Sequence, residues 1–259
     1  MGVIEFIFGK RWYPSSYSNP SMGIFNIIIA TIYIAVVGVI ISFPVGLGCS
    51  IFLSCVLEEK MKNIVKPYID ILAGIPSVIY GFIGLLLVVK FFEKLGRPSG
   101  ESVLAGGIVL SIMILPFIVD NCEETMSKIR KKYENSSKVL GVSKWYMISE
   151  LVVPASKKSM VISIILALAR ALGETMAVMM VIGNAPIFPT LLGKAQTISS
   201  LIALEMGMTE VGSTHYNALF ASGLSLLIII LSINLLVEIV KKRYLGVDLW
   251  EKKRYFIKY

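Results

Sequence analysis

The sequence predicts an all-α, polytopic membrane protein, a helical bundle with five visible spans. Three observations carry this. The 259 residues are 56% hydrophobic and only 16% charged, and a mean hydropathy of +0.77 lies outside the range of ordinary soluble domains. Five long, nearly uncharged stretches, 24–57, 68–89, 103–119, 159–183 and 218–240, are each of a length to cross hydrocarbon about 30 Å thick. The alternating ten-residue segments of membrane barrel strands are absent.

Residues 1–23 lead into the first span and 24–240 form the membrane domain. Stretch 24–57 is too long for one upright crossing. Pro44, followed by Gly46 and Gly48, predicts a crossing that ends near Phe43 and a bent continuation. The second span opens on Gly74-Ile75-Pro76-Ser77, and the third carries Pro116 near its end, so Gly74, Pro76 and Pro116 are candidate hinges or kinks. Gly38, Gly81, Gly84, Gly106 and Gly107 suit close helix approach. Between the third and fourth spans, 121–158 reads as a polar loop of two short helices, 126–138 and 144–153, that meet at Gly141; Pro154 stops the second. The connection 184–215 starts with Pro186 and Pro189 and allows a short apolar helix over 197–206.

Charge sets the orientation. Segments 58–67, 121–158 and 241–259 hold 18 of the 25 Lys and Arg residues, whereas 1–21, 91–102 and 184–215 hold 5. The positive-inside rule makes the first group cytoplasmic, including the basic tail 241–259. The net charge of +8 is therefore a topology signal and argues against nucleic acid, although some of these side chains will meet anionic lipid. Five spans with an inner C-terminus place the N-terminus outside, yet residues 1–20 contain no cleavable signal; either the tail is translocated or a helix precedes Met1. Cys49, Cys55 and Cys122 have no metal-like spacing and read as free thiols.

Enzyme chemistry finds no foothold. Gly193-Lys194 is followed by Ala195, and Phe188 stands five before Gly193, so there is no phosphate-binding loop for ATP. His215 is the only histidine and reads as an ordinary outer-loop residue. Arg170 and Glu174 are the only ions within 159–183. A central Arg costs on the order of 2.5–3.5 kcal/mol to insert, so a use is expected. Four apart on a helix, the two share a face. One reading is a structural lock. The other is a solute pathway, in which the guanidinium donates paired hydrogen bonds to an oxyanion and Glu174 neutralises it when the site is empty.

Three motifs in order bring a family into view. Gly74-Ile75-Pro76-Ser77-Val78-Ile79-Tyr80-Gly81, then Gly141-Val142-Ser143-Lys144-Trp145 with Val152-Val153-Pro154, then Arg170-Ala171-Leu172-Gly173-Glu174-Thr175-Met176-Ala177-Val178 resemble the membrane subunits of phosphate-specific ABC importers, of the PstC type. The resemblance implies a non-catalytic permease of the type I importer kind. It implies a second, PstA-type permease, cytoplasmic ATPase subunits that use ATP and Mg, and an extracellular phosphate-binding protein. Arg170, Glu174 and Thr175 would then line the phosphate route. Glu134, Asn135, Ser136, Gly141, Trp145 and Pro154 would belong to the loop that couples to the ATPase. Two departures stand out: Asn135 occupies the place of the usual loop carboxylate, with Glu134 one residue earlier, and the family usually has six spans. A permease for sulfate, molybdate or tungstate is the nearest alternative. A stand-alone carrier or channel is a further one.

Overall fold

The computed structural model describes residues 2–14 and 20–245, the last six as helix backbone only. Two long helices, α2 (Phe25–Val56) and α5 (Val103–Val139), lie side by side in the same direction and carry most of the core. Small residues allow their approach: Gly38, Ser42, Gly46 and Ser50 recur every four positions on α2, and all are buried. A Cβ on Gly46 would lie 2.9 Å from Cγ2 of Ile118, and the Ser50 hydroxyl donates both to the Gly46 carbonyl (2.7 Å) and across to the Val119 carbonyl (3.2 Å). Without a hydrophobic drive between helices in lipid, such close packing and hydrogen bonding hold them together.

The break expected after Phe43 is absent. The α2 helix passes through Pro44 without a break and ends in a π-helical turn, Phe52–Val56. Its glycines serve contact with α5, and packing there outweighs their helix-breaking tendency.

The next crossing is broken. Helices α3 (Glu59–Gly74) and α4 (Ser77–Lys94) are inclined at 90° across residues 75 and 76. Pro76 cannot donate to the preceding turn and disfavours a helical residue before it, so the chain turns there. The Tyr80 hydroxyl bridges the corner by donating to the Leu72 carbonyl at 2.7 Å.

The two helices expected to meet at Gly141 are present, but each continues into a long apolar helix. Helix α5 runs unbroken through Pro116 to Val139, and helix α6 (Lys144–Leu172) begins after the four residues 140–143. Pro154 does not stop α6 either. It follows a π-helical stretch, Met147–Val152, in which the backbone already shifts to wider pairing, and the Val153 amide reaches back five residues to the Ile148 carbonyl. Helices α5 and α6 pack antiparallel, fixed by Thr125–Ser159 hydroxyls at 2.8 Å and by the Cys122 thiol donating to Ser163 at 3.5 Å.

A short helix α7 (Met176–Met179) follows, then an extended connection, α8 (Ile198–Met208) and the last long helix α9 (Thr214–Leu245). The expected short helix over 197–206 is thus present, capped by a reciprocal Thr197–Ser200 box. Among the described residues four helices are long and apolar enough to span, and the bent α3–α4 pair brings the number to five if it is counted as one span. At the N-terminus α1 (Val3–Phe8) and a hairpin of β1 (Trp12–Tyr13) with β2 (Ser21–Met22) fold over the start of α2. Of the basic tail 241–259, residues 246–259 lie outside the described residues.

Candidate translocation face and coupling elbow

Helix α6 ends at Leu172, so Arg170 and Glu174 do not share a helical face as the sequence predicts. Residues 173–175 are irregular because Glu174 and Thr175 serve the start of α7. The Glu174 carboxylate accepts from the Ala177 amide (3.4 Å), and its carbonyl accepts from the Ser199 hydroxyl of α8 (2.9 Å). Thr175 donates to the Gly173 carbonyl at 3.4 Å. These local bonds compete with helix continuation.

Arg170 is exposed on the bare chain and has neither an ion-pair nor a hydrogen-bond partner among the described residues. Continuing the α5–α6 register from Ser163 and Cys122 sets it near the level of Pro116, within the apolar depth of the bundle. An ion pair with Glu174, the structural lock, is not formed. The guanidinium and its five donors are presented to whatever lies beside this chain.

At the other end of α6, the chain reverses over four residues. Gly141 has φ +66°, its amide bonds the Lys138 carbonyl (3.2 Å), and the Val142 amide bonds the Ser137 carbonyl (2.9 Å). This is a Schellman closure, for which glycine is the residue of lowest strain. Ser143 then caps α6 by accepting from the Tyr146 amide. Glu134 is held by Arg130 (3.3 Å) and Lys138 (2.9 Å), while Asn135 and Ser136 are exposed. The elbow is braced against α2, where Arg130 donates to the Ser54 carbonyl (2.8 Å) and Lys144 to the Val56 carbonyl (3.3 Å). At its tip Val139, Leu140, Trp145 and Tyr146 are exposed, Val139 by 87% and Trp145 by 69%.

Sequence reasoning missed two clusters. Glu123 on α5 is 2% exposed and takes both Lys62 and Lys66 (3.0 Å) of α3, while the Ser127 hydroxyl donates to it at 2.6 Å. Glu59–Lys131 at 3.2 Å extends this seam. Lysines four apart facing an acid and hydroxyl four apart were the available signal. At the end away from the elbow, Glu205 accepts from the Trp12 indole (3.0 Å) and meets His215 at 2.7 Å, and His215 packs edge-on to Trp12. His215 is therefore a bonded, half-buried residue and not an ordinary loop position. An open cavity of about 1360 Å³ adjoins this cluster.

Residues 42–246 match the family model described as binding-protein-dependent transport system inner membrane component. The chain belongs to this family. The permease is 36% identical over 242 residues to the probable ABC transporter permease protein YqgH of Bacillus subtilis, spanning 93% of this chain and 78% of that protein. It is 31% identical over 261 residues to the phosphate transport system permease protein PstC of Xylella fastidiosa, spanning 93% and 79%. Among solved structures, an inward-facing MetNI methionine ABC transporter chain superposes with a TM-score of 0.64 at 16% identity, over 84% of the permease and 94% of that chain. The permease thus has the type I ABC importer fold.

Proposed function

We propose that this permease is the PstC-type subunit of an ATP-driven importer of inorganic phosphate in the cytoplasmic membrane of a bacterium or archaeon. The observation that carries the substrate is the likeness to a phosphate permease over nearly the whole chain. The unpaired Arg170 fits it, since a guanidinium is suited to an oxyanion. Arg170, Glu174 and Thr175 line half of the route, and a PstA-type permease supplies the other half. An extracellular phosphate-binding protein delivers the anion to the end that carries Trp12 and His215. ATPase subunits, which use ATP and Mg, grip the cytoplasmic elbow.

Because Asn135 replaces the usual carboxylate and Glu134 is already bound by two cations, docking of the ATPase leans on the apolar tip. If Trp145 is the hot spot of this interface, its truncation costs about 2 kcal/mol or more, and Trp145→Ala should weaken ATPase association by roughly 30-fold. Co-purification across a detergent titration reads this, and equal retention of the ATPase would remove Trp145 from the interface.

The reading as a whole is tested by labelled phosphate uptake into vesicles that contain the four-subunit complex and the binding protein, with sulfate and molybdate as competitors. Uptake should require ATP and be spared by the competitors. Uptake without ATP would favour a stand-alone carrier, and block by sulfate would favour a different oxyanion.

A further inference from the structure

Two side-chain amides stand unsatisfied at the floor of the outer cavity. Segments 182–185 and 195–196 run alongside each other through a parallel bridge, Gly183 to Ala195, and the amide of Ala185 donates to the Ala195 carbonyl at 3.2 Å. That register sets Asn184 and Gln196 next to each other, and both line the cavity. Asn184, held at φ 45°, donates through Nδ2 to the Met179 carbonyl (2.7 Å), which leaves Oδ1 as a buried acceptor without a partner. Gln196 is only 3% exposed, and its carboxamide has no hydrogen bond among the described residues. Native proteins rarely strand buried polar atoms in this way, and a site for a transient ligand is a recognised reason.

We propose that Asn184 and Gln196 form a subsite for a protonated oxyanion, one that accepts the P–O–H hydrogen of hydrogen phosphate and thereby prefers phosphate to sulfate. The inference rests on the phosphate-importer reading and deepens it. Asn184 Oδ1 is an acceptor only, and the bond from Nδ2 to the Met179 carbonyl fixes which end of the amide is oxygen. Phosphate near neutral pH always retains a proton to donate, and sulfate has none. The Gln196 carboxamide oxygen is likewise a buried acceptor without a partner among the described residues. Lys10 and Arg11 line the same cavity and draw anions in, while Glu205 is occupied by Trp12 and His215; Glu5 is the remaining acid of the lining. The subsite adjoins the proposed route, since Met179 closes the α7 helix that Glu174 and Thr175 begin, and Ser199, three residues after Gln196, holds the Glu174 carbonyl.

The test is equilibrium binding of radiolabelled phosphate and of sulfate to the assembled complex in nanodiscs, without binding protein or nucleotide. Wild type should bind phosphate at least about tenfold more tightly than sulfate, and Gln196→Leu should lose about tenfold for phosphate with sulfate unchanged, the usual size of a lost hydrogen bond to a charged group. Asn184→Gly, which suits the left-handed backbone, should act in the same direction. Co-elution of all subunits checks assembly, and the glycine variant decides the matter if the leucine variant fails it. Equal affinity for the two anions, or unchanged phosphate binding in both variants, would overturn the subsite. Phosphate uptake by the wild-type complex with its binding protein is measured alongside: its absence counts against the importer reading, and its presence beside unaffected variants counts against the subsite alone.

Discussion

Arg170→Gln is expected to lower phosphate uptake by the assembled importer by at least about tenfold, and up to about a hundredfold, while the ATPase subunits still co-purify. Hydrogen bonds to a charged group are worth about 1.5–3 kcal/mol, which sets this range. The substitution keeps most of the side chain's length but removes its charge and its fork of donors. Since Arg170 holds no partner within the described residues, the permease itself should lose little stability. Arg170→Lys should restore part of the rate, because the charge returns without the bidentate geometry. Wild-type uptake by the glutamine variant would remove Arg170 from the phosphate route.

The second large effect is expected at Glu123. Glu123→Leu leaves Lys62, whose side chain is 18% exposed, beside an apolar residue with no counter-charge. Removing one partner of a buried pair costs about 3–5 kcal/mol; Lys66 is 38% exposed and keeps access to water, so the lower end of that range applies. The α3 helix has no buried residue and is held to α5 by this polar seam, so it should detach first. Faster protease cleavage within 58–66 and a lower thermal midpoint in detergent would show it. A midpoint equal to wild type would mean that the seam contributes no stability. Pairing Glu123→Leu with Lys62→Met should recover much of the loss, since two apolar groups replace a broken ion pair.

The architecture was legible because lipid imposes a length and a polarity on every crossing, and these are properties of contiguous sequence. The type of each stretch, the turn at Gly141 and the short helix at 198 follow from local rules. What failed was the expectation of a break at Pro44 and a stop at Pro154, both of which lie inside continuous helices because buried packing or a π-helical turn accommodates the missing amide. The site was half legible. Arg170 announced itself by its charge, but the end of α6 at Leu172 depends on Ser199 reaching Glu174 from 25 residues away. Glu123, Glu205 and the Asn184–Gln196 pair take their main partners from elsewhere in the fold: Lys62 and Lys66 for Glu123, Trp12 and His215 for Glu205, and the parallel bridge for the two amides.

Helix α5 spans 37 residues, about 55 Å at 1.5 Å per residue, with no interruption. Its first residues are fastened to the connection around α7: the amides of Ser102, Val103 and Leu104 donate to the carbonyls of Val181, Gly193 and Leu191. Its last turn is the elbow. In the proposed importer, a strut of this length would carry the closure of the ATPases from the elbow to the tied segments at its other end, so that opening inward and sealing outward would become a single mechanical event.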